Sequence, residues 1–526
     1  MKLHKILFLS LTALVLSLTG CDKPFDELEK NPNLATQATA SLVLQGVLLD
    51  MYGVTGQPWG DEQRWNQFYC SNYDYYASNQ YNWTTTGLNF TTLKNVVKME
   101  EEAKRAGASA VNPYSALGKF FRAYFFDNMT RRVGDVPMME ALKGLENPTP
   151  TYDSQKAVYV QILKWLDEAN ANLTTLIAAG NTTMTGDFYL GNNLRQWQKV
   201  VNAHKLRVLV SLSQKDADRS DGPSELNVKA RFAEVVGNPT KFPLMAGLSD
   251  NVQYIHTAVN KYRRSQDNFG NNATRENMAK TYIDLLVARK DPRVFVVAEP
   301  AGAKLATGLK PTDVNSFAGA SSGEDLADIA TKVLSGQYSY QNRKRYYTNY
   351  VGELVAIIGY IEQQFNIAEG INRGWAVGNA EIAYNQGVTA SMGFYGLKDG
   401  DNTVTFSRDG GIVNFDSYTV KVSLSDYLAQ PLVKYAGNTA AGREQIVIQK
   451  YLGFFQNSGM EAFYNQRRTG IPAFLTGVGT GNSARIPKRW LYPNGERVNN
   501  TTNLTTALTA QYGGKDDIND TPWLLK

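Results

Sequence analysis

Two stretches of this sequence gather side chains better suited to holding a ligand than to filling a core. Residues 59–83 carry Trp59, Trp65, Tyr69, Tyr73, Tyr75, Tyr76, Tyr81 and Trp83, interleaved with Asn66, Asn72, Asp74, Asn79, Gln80 and Asn82. Residues 338–350 carry Tyr338, Tyr340, Tyr346, Tyr347 and Tyr350 with Gln341, Asn342, Arg343 and Arg345. A sugar presents apolar C–H faces and a rim of hydroxyls, so flat rings flanked by amides and carboxylates match it. Tyr and Trp also supply contact area at small conformational cost. The candidate ligand-binding residues are therefore Trp65, Tyr73, Tyr75, Tyr81 and Trp83 with Asn72 and Asp74, joined by Tyr346 and Tyr347 from the second stretch.

Other chemistry is sparse. His204 and His256 are far apart with no H-x-x-x-H spacing, so no zinc site is expected. Asp399-Gly400-Asp401-Asn402 has oxygens suited to Ca²⁺ but lacks the later glutamate of an EF-hand loop, and reads as a turn. No nucleophile elbow, zincin helix, P-loop or strand-linked GxGxxG is present, and no cofactor is called for. A carboxylate pair for glycoside hydrolysis is defined by spatial separation and stays open at this point. Arg467-Arg468 could clamp an anion, but Met460, Phe463 and Tyr464 place them on a packed helix, as partners for carboxylates and helix C-termini. The chain carries 54 Lys+Arg against 49 Asp+Glu, scattered rather than blocked, which argues against a nucleic-acid footprint.

Of the two cysteines, Cys70 has no partner and reads as an inert packed thiol, while Cys21 closes a distinct signal. Lys2 and Lys5 precede an apolar run from Ile6 to Leu18, too short to span a bilayer, where roughly 20 residues are wanted. Leu18-Thr19-Gly20-Cys21 follows and resembles the bacterial lipobox, whose cysteine is acylated and becomes the first mature residue. Residues 1–20 are thus expected to be a lipoprotein signal peptide, 21–35 a charged, Pro-containing tether, and 36–526 a single domain held at a membrane by its lipid.

The elements that must position the aromatic stretches are mostly helical. Apolar residues recur at helical spacing over 40–52, 93–105, 114–129, 155–176, 194–212, 276–288, 354–374, 380–392, 444–455 and 460–467. Asn112-Pro113 opens one helix, and Asp153 or Ser154 can cap another. Several of these segments pair as helix–turn–helix units of about tetratricopeptide size, roughly 34 residues, without a regular period. Alternation around Asp409-Gly410-Gly411, with Val404 and Phe406 before it and Ile412 and Phe415 after it, predicts a β-hairpin. Residues 300–350 and 476–522 read as long and irregular. The expected fold is mainly α, with tetratricopeptide-like helix pairs as a scaffold, long irregular loops and a small hairpin insertion.

With these segments in place, the chain resembles the SusD/RagB family of Bacteroidota outer-membrane lipoproteins, in its SusD-like branch. The matching pieces stand in family order: Cys21; Asn31-Pro32-Asn33; Gly134-Asp135-Val136-Pro137; Pro150-Thr151-Tyr152-Asp153; Trp197-Gln198-Lys199-Val200-Val201-Asn202; Asp291-Pro292-Arg293; Phe365-Asn366-Ile367-Ala368-Glu369-Gly370; Arg467-Arg468-Thr469-Gly470-Ile471-Pro472; and Ile486-Pro487-Lys488-Arg489-Trp490. Gly370 stands where alanine is common in the family. The resemblance implies a non-catalytic protein on the outer face of the outer membrane, beside a TonB-dependent, SusC-like barrel. It would bind a nutrient, commonly an oligosaccharide, and deliver it as a lid. Rival expectations are peptide capture, a surface glycosidase and a lid that binds only the barrel.

Overall fold

The computed structural model describes residues 38–75, 78–216 and 225–526; Cys21, Tyr76 and the tether lie outside the described residues. The longer helices are α1 (Ala40–Thr55), α2 (Phe90–Arg105), α3 (Pro113–Val133), α4 (Gln155–Ala178), α5 (Leu194–Ser211), α6 (Val228–Gly237), α7 (Lys280–Ala288), α8 (Leu326–Leu334), α9 (Tyr360–Asn372), α10 (Ala380–Phe394), α11 (Ala440–Gly453), α12 (Glu461–Thr469) and α13 (Thr501–Tyr512). Helices α1 to α5 pack each on the next, α9 lies against α5, and α10 and α11 pack on α9, so two sets of helix pairs join into one spine. None of the described helices is long and apolar enough to cross a membrane.

Local chemistry accounts for the helix starts. Asn112 accepts from Ser115 N at 3.0 Å ahead of Pro113, whose fixed φ suits a first helical residue. Ser154, rather than Asp153, caps α4. Asp153 instead accepts from Met138 N and Met139 N at 2.9 and 2.8 Å, which fixes the Gly134–Pro137 loop. The core beneath is aromatic: Phe120, Phe121, Tyr124 and Trp197 interlock with His204, which is fully buried and whose burial holds its pKa well below the usual value.

Among the described residues, three two-stranded antiparallel ribbons decorate this spine. β1 (Tyr69–Ser71) pairs with β3 (Glu276–Met278), β2 (Val252–Tyr254) with β4 (Val355–Ile358), and β5 (Gly400–Ser407) with β6 (Phe415–Val422). The third is the expected hairpin. Its turn spans residues 408–414, with Asp409 accepting from Gly411 N and Asn414 Nδ2, so Ile412 sits in the turn rather than in a strand. Two expected helices start later than their periodicity suggested. Residues 276–278 and 355–358 are strands, and helix begins only at Lys280 and Tyr360. A short apolar run reads alike in strand and helix, and the distant partner strand decides. The two segments expected to be irregular also contain α8, α13 and a turn of helix at Arg343–Tyr347.

Buried charge ties the later helices to the spine. Arg468 of α12 forks onto Glu369 of α9 at 2.6 and 2.9 Å, and Arg207 of α5 holds Glu362 and the carbonyl of Ile357. Arg467 donates to the carbonyl of Arg131, near the end of α3, and to that of Lys488. Both arginines of the Arg467-Arg468 pair therefore serve carboxylates and carbonyls of the fold. Asp399 accepts from Leu424 N, and Asn402 Nδ2 donates back to the carbonyls of Lys398 and Gly400, so that motif is a turn.

Candidate functional site

The structure divides the first aromatic stretch into a buried part and an exposed bend. Trp59 and Tyr69 lie in the main core, where the Trp59 ring meets Tyr346 edge-on at 4.9 Å and its Nε1 donates to Tyr262 Oη at 3.1 Å. Tyr81 and Trp83 belong to a smaller cluster with Phe463 and Trp490; the Trp83 and Trp490 rings stack at 3.7 Å and 11°. Trp65 is half-buried at its edge, turned to Trp83 and Trp490 at 5.1 and 6.2 Å, with Nε1 donating to the Gln80 carbonyl. From the second stretch, Tyr346 and Tyr347 are fully buried. Tyr347 Oη accepts from Gln341, and its ring meets Phe269 edge-on at 5.4 Å.

These placements correct part of the expectation. Tyr81, Trp83, Tyr346 and Tyr347 have almost no surface to offer a ligand, and Trp65 is grouped with the buried rings. The two stretches do meet, but as core. Of the amides that gave the first stretch its polar look, Asn66, Asn72 and Asn79 are buried too, as clamps on backbone, while Gln80 and Asn82 are exposed. Asn66 bonds Gly459 O and Phe463 N, and Gln67 bonds both Leu475 O and Leu475 N. A buried backbone group needs a partner, and these side chains supply it in loops and at the first turn of α12, where no helix or sheet bond does.

The bend that remains is built on the β1–β3 ribbon. Ser71 N donates to Asn79 Oδ1 at 2.8 Å and Asn79 Nδ2 returns to Ser71 O at 2.7 Å, which closes the loop at its base. Asn72 is buried. Its backbone N–H donates to Arg275 O, and its amide donates to Thr274 O at 3.0 Å and Asn277 Oδ1 at 2.7 Å. Asn72 is thus a clamp and not a free ligand donor, a second correction. Held on both sides, Tyr73, Asp74 and Tyr75 project: Tyr73 is 45% and Tyr75 78% exposed, with ring centroids 6.4 Å apart and planes inclined by 39°. The Arg275 guanidinium lies over the Tyr73 ring at 4.6 Å, a cation–π contact that fixes the ring and sets a donor beside it.

The result is a shelf of two exposed rings, with the exposed Asp74 between them in the chain and the Arg275 guanidinium over the Tyr73 ring. Such a shelf can stack on apolar faces and bond hydroxyls. Sequence reasoning missed Arg275, which reaches the bend only through the pairing of β1 with β3.

Groups that could suggest catalysis are otherwise engaged. Burial pushes the Cys70 thiol up to about 12, and its sulfur contacts Ala320 O and Ser322 Oγ. His256 is buried among Tyr52, Tyr254 and Tyr262, and burial lowers its pKa to about 4. Among the described residues no group of three or more His, Cys, Asp or Glu could hold a metal ion.

A family model described as starch-binding, associating with the outer membrane (SusD-like), matches residues 32–493. An outer membrane protein from Bacteroides vulgatus, described as involved in nutrient binding, is 30% identical, with a TM-score of 0.77 over 93% of this chain and 100% of its own. A SusD homolog from Bacteroides fragilis is 29% identical, with a TM-score of 0.79 over the same shares. A chitin-binding SusD homolog from Flavobacterium johnsoniae shares the fold at 18% identity, with a TM-score of 0.65 over 93% of this chain and 98% of its own. No curated protein matches the chain.

Proposed function

Because this chain belongs to the SusD-like family of outer-membrane-associated, starch- and nutrient-binding proteins, we propose that it is a cell-surface lipoprotein that captures an oligosaccharide on the Tyr73–Tyr75 shelf. In this reading Cys21 carries the lipid, the outer face of the outer membrane is the location, and a TonB-dependent, SusC-like barrel receives the ligand. The protein binds and hands over, and catalyses nothing. The observation that carries the reading is the shelf itself: two exposed rings on a bend clamped by Asn72 and Asn79, with Asp74 and Arg275 beside them.

Aromatic faces take the C–H faces of a sugar, while Asp74 and the guanidinium of Arg275 serve its hydroxyls. A neutral glycan needs no net charge, so affinity should change little with salt. Affinity on the order of µM to mM is expected, because ordering a flexible chain offsets much of the contact energy. The chitin-binding relative supports a saccharide over a peptide. The test is a glycan panel on the full chain, followed by calorimetry with the strongest binder. Tyr73→Ala and Tyr75→Ala should each weaken binding about tenfold. Unchanged binding in both variants would refute the shelf, and binding to peptides alone would refute the saccharide.

A further inference from the structure

A second surface has the chemistry of a saccharide site and lies apart from the shelf. A groove of about 420 Å³ runs between α1, the loop at Phe188–Tyr189 and β2, within the range of small-ligand sites. Its lining combines the rings of Phe188, Tyr189 and Tyr254 with the amides of Gln45, Gln253 and Asn260, and no lining side chain carries a formal charge. Rings plus amides without charge match a neutral polyhydroxyl ligand better than an ion or a charged peptide.

The rings are held in place before any ligand arrives. Tyr254 stacks on Tyr52 at 4.0 Å and 9°, and Tyr52 Oη bonds His256 Nε2 at 3.1 Å. Tyr189 Oη donates to Leu48 O at 3.0 Å. Asp187 accepts from Tyr189 N, Asn192 N and Trp197 Nε1, each at 2.9 Å, so the loop that carries Phe188 is pinned to the start of α5. Phe188 is nevertheless 46% exposed. A pinned loop that presents a bare ring has its ordering cost already met, which favours binding.

The helix wall adds an independent observation. At about 100° per residue, Gln45, Leu49, Leu42, Gly53 and Gly46 fall on one face of α1. A glycine inside a helix costs roughly 0.5–1 kcal/mol relative to alanine. A Cβ at Gly46 or Gly53 would meet nothing within 4 Å, so packing inside the chain gives no reason for either. Their absence of side chains lets a flat ring approach the helix closely.

We propose that this groove is a second saccharide-binding site, taking a neutral sugar segment on Phe188 and Tyr254 with Gln45, Gln253 and Asn260 as hydroxyl partners. The proposal rests on the reading of the protein as a saccharide binder but not on the shelf. Calorimetry on the full chain in a non-glycosidic detergent, with maltohexaose, cellohexaose and N-acetylchitohexaose, tests it. Gly46→Gln adds bulk on the α1 face that carries Leu49, where the fold has room, and Phe188→Ala removes an exposed ring. At least one hexasaccharide should bind at two sites per chain, and each of these variants should weaken one site about tenfold while Tyr75→Ala weakens the other. A single site lost in Gly46→Gln but kept in Tyr75→Ala would support the groove and refute the shelf. A single site lost in Tyr75→Ala but kept in Gly46→Gln and Phe188→Ala would overturn the groove and leave the shelf standing. No binding to any of the three sugars would overturn both.

Discussion

Trp83 and Tyr75 come from one aromatic stretch and end in opposite surroundings. Trp83 is buried face to face with Trp490, while Tyr75 stands 78% exposed on a bend. Nothing in the residues around them separates the two, since both have tyrosines and amides as neighbours. The difference lies in what the rest of the chain brings. Residues 460–490 return over the second half of the stretch and cover Tyr81 and Trp83. At the bend, the segment before β3 brings only the Arg275 guanidinium over the Tyr73 ring, and Tyr73 and Tyr75 stay 45% and 78% exposed. A ring becomes core when a distant segment buries it, and serves as a platform when it stays exposed above a clamped backbone.

If that comparison is right, variants on the buried side should act on stability and variants on the exposed side on binding. The largest effect belongs to the charge that holds α12, and so the cover over Trp83, in place. Arg468→Ala leaves Glu369 fully buried without its bidentate partner, which should cost about 3–5 kcal/mol. Burial works against charge on Glu369, yet Arg468, with Arg373 and Lys450, holds its carboxyl well below the usual range. This contribution is present above the unfolded pKa of a glutamate and is lost as pH falls below it. Wild type should therefore lose stability on acidification, and urea unfolding of Arg468→Ala should show a smaller loss. Trp83→Ala follows, with about 3–5 kcal/mol lost by emptying the stack on Trp490. Its folded fraction should still bind sugar with wild-type affinity, and loss of binding without loss of stability would break the comparison.

Much of the scaffold was legible in the sequence, because periodicity and caps are local. The run from Tyr114 to Met129 and the cap at Asp153 or Ser154 predict α3 and α4 within a few residues. The strands at 276–278 and 355–358 were not legible, since each is fixed by a partner from another part of the chain. The site was half legible for a related reason. Composition marked Tyr73, Asp74 and Tyr75, but it marked Tyr81 and Trp83 equally, because Asn66, Gln67 and Asn72 look like surface and are buried clamps. Arg275 carries no local signal at all.

On the exposed side, Tyr75→Ala should weaken oligosaccharide binding about tenfold, equal to about 1.4 kcal/mol, with the melting temperature nearly unchanged. Arg275→Ala should weaken binding less, because it removes the support of Tyr73 and one donor but no stacking face. The smallest effect concerns Asp135, pushed up to about 7 by burial, against the hydrogen bond from Gln155 N. Between the unfolded aspartate pKa and about 7 the folded state keeps a proton that the unfolded state has lost, so this group makes the fold more stable at pH 5 than at pH 8. Asp135→Asn should remove that slope, a change on the order of 1–2 °C in melting temperature, and should leave sugar binding unaltered.

The most direct measurement is a crystal structure of the protein with its strongest-binding oligosaccharide. The account predicts sugar rings lying on Tyr73 and Tyr75, with hydroxyls at Asp74 and Arg275 and the Trp83–Trp490 stack undisturbed. Sugar bound only elsewhere, or a rearrangement that opens the Trp83–Trp490 stack to receive it, would contradict it.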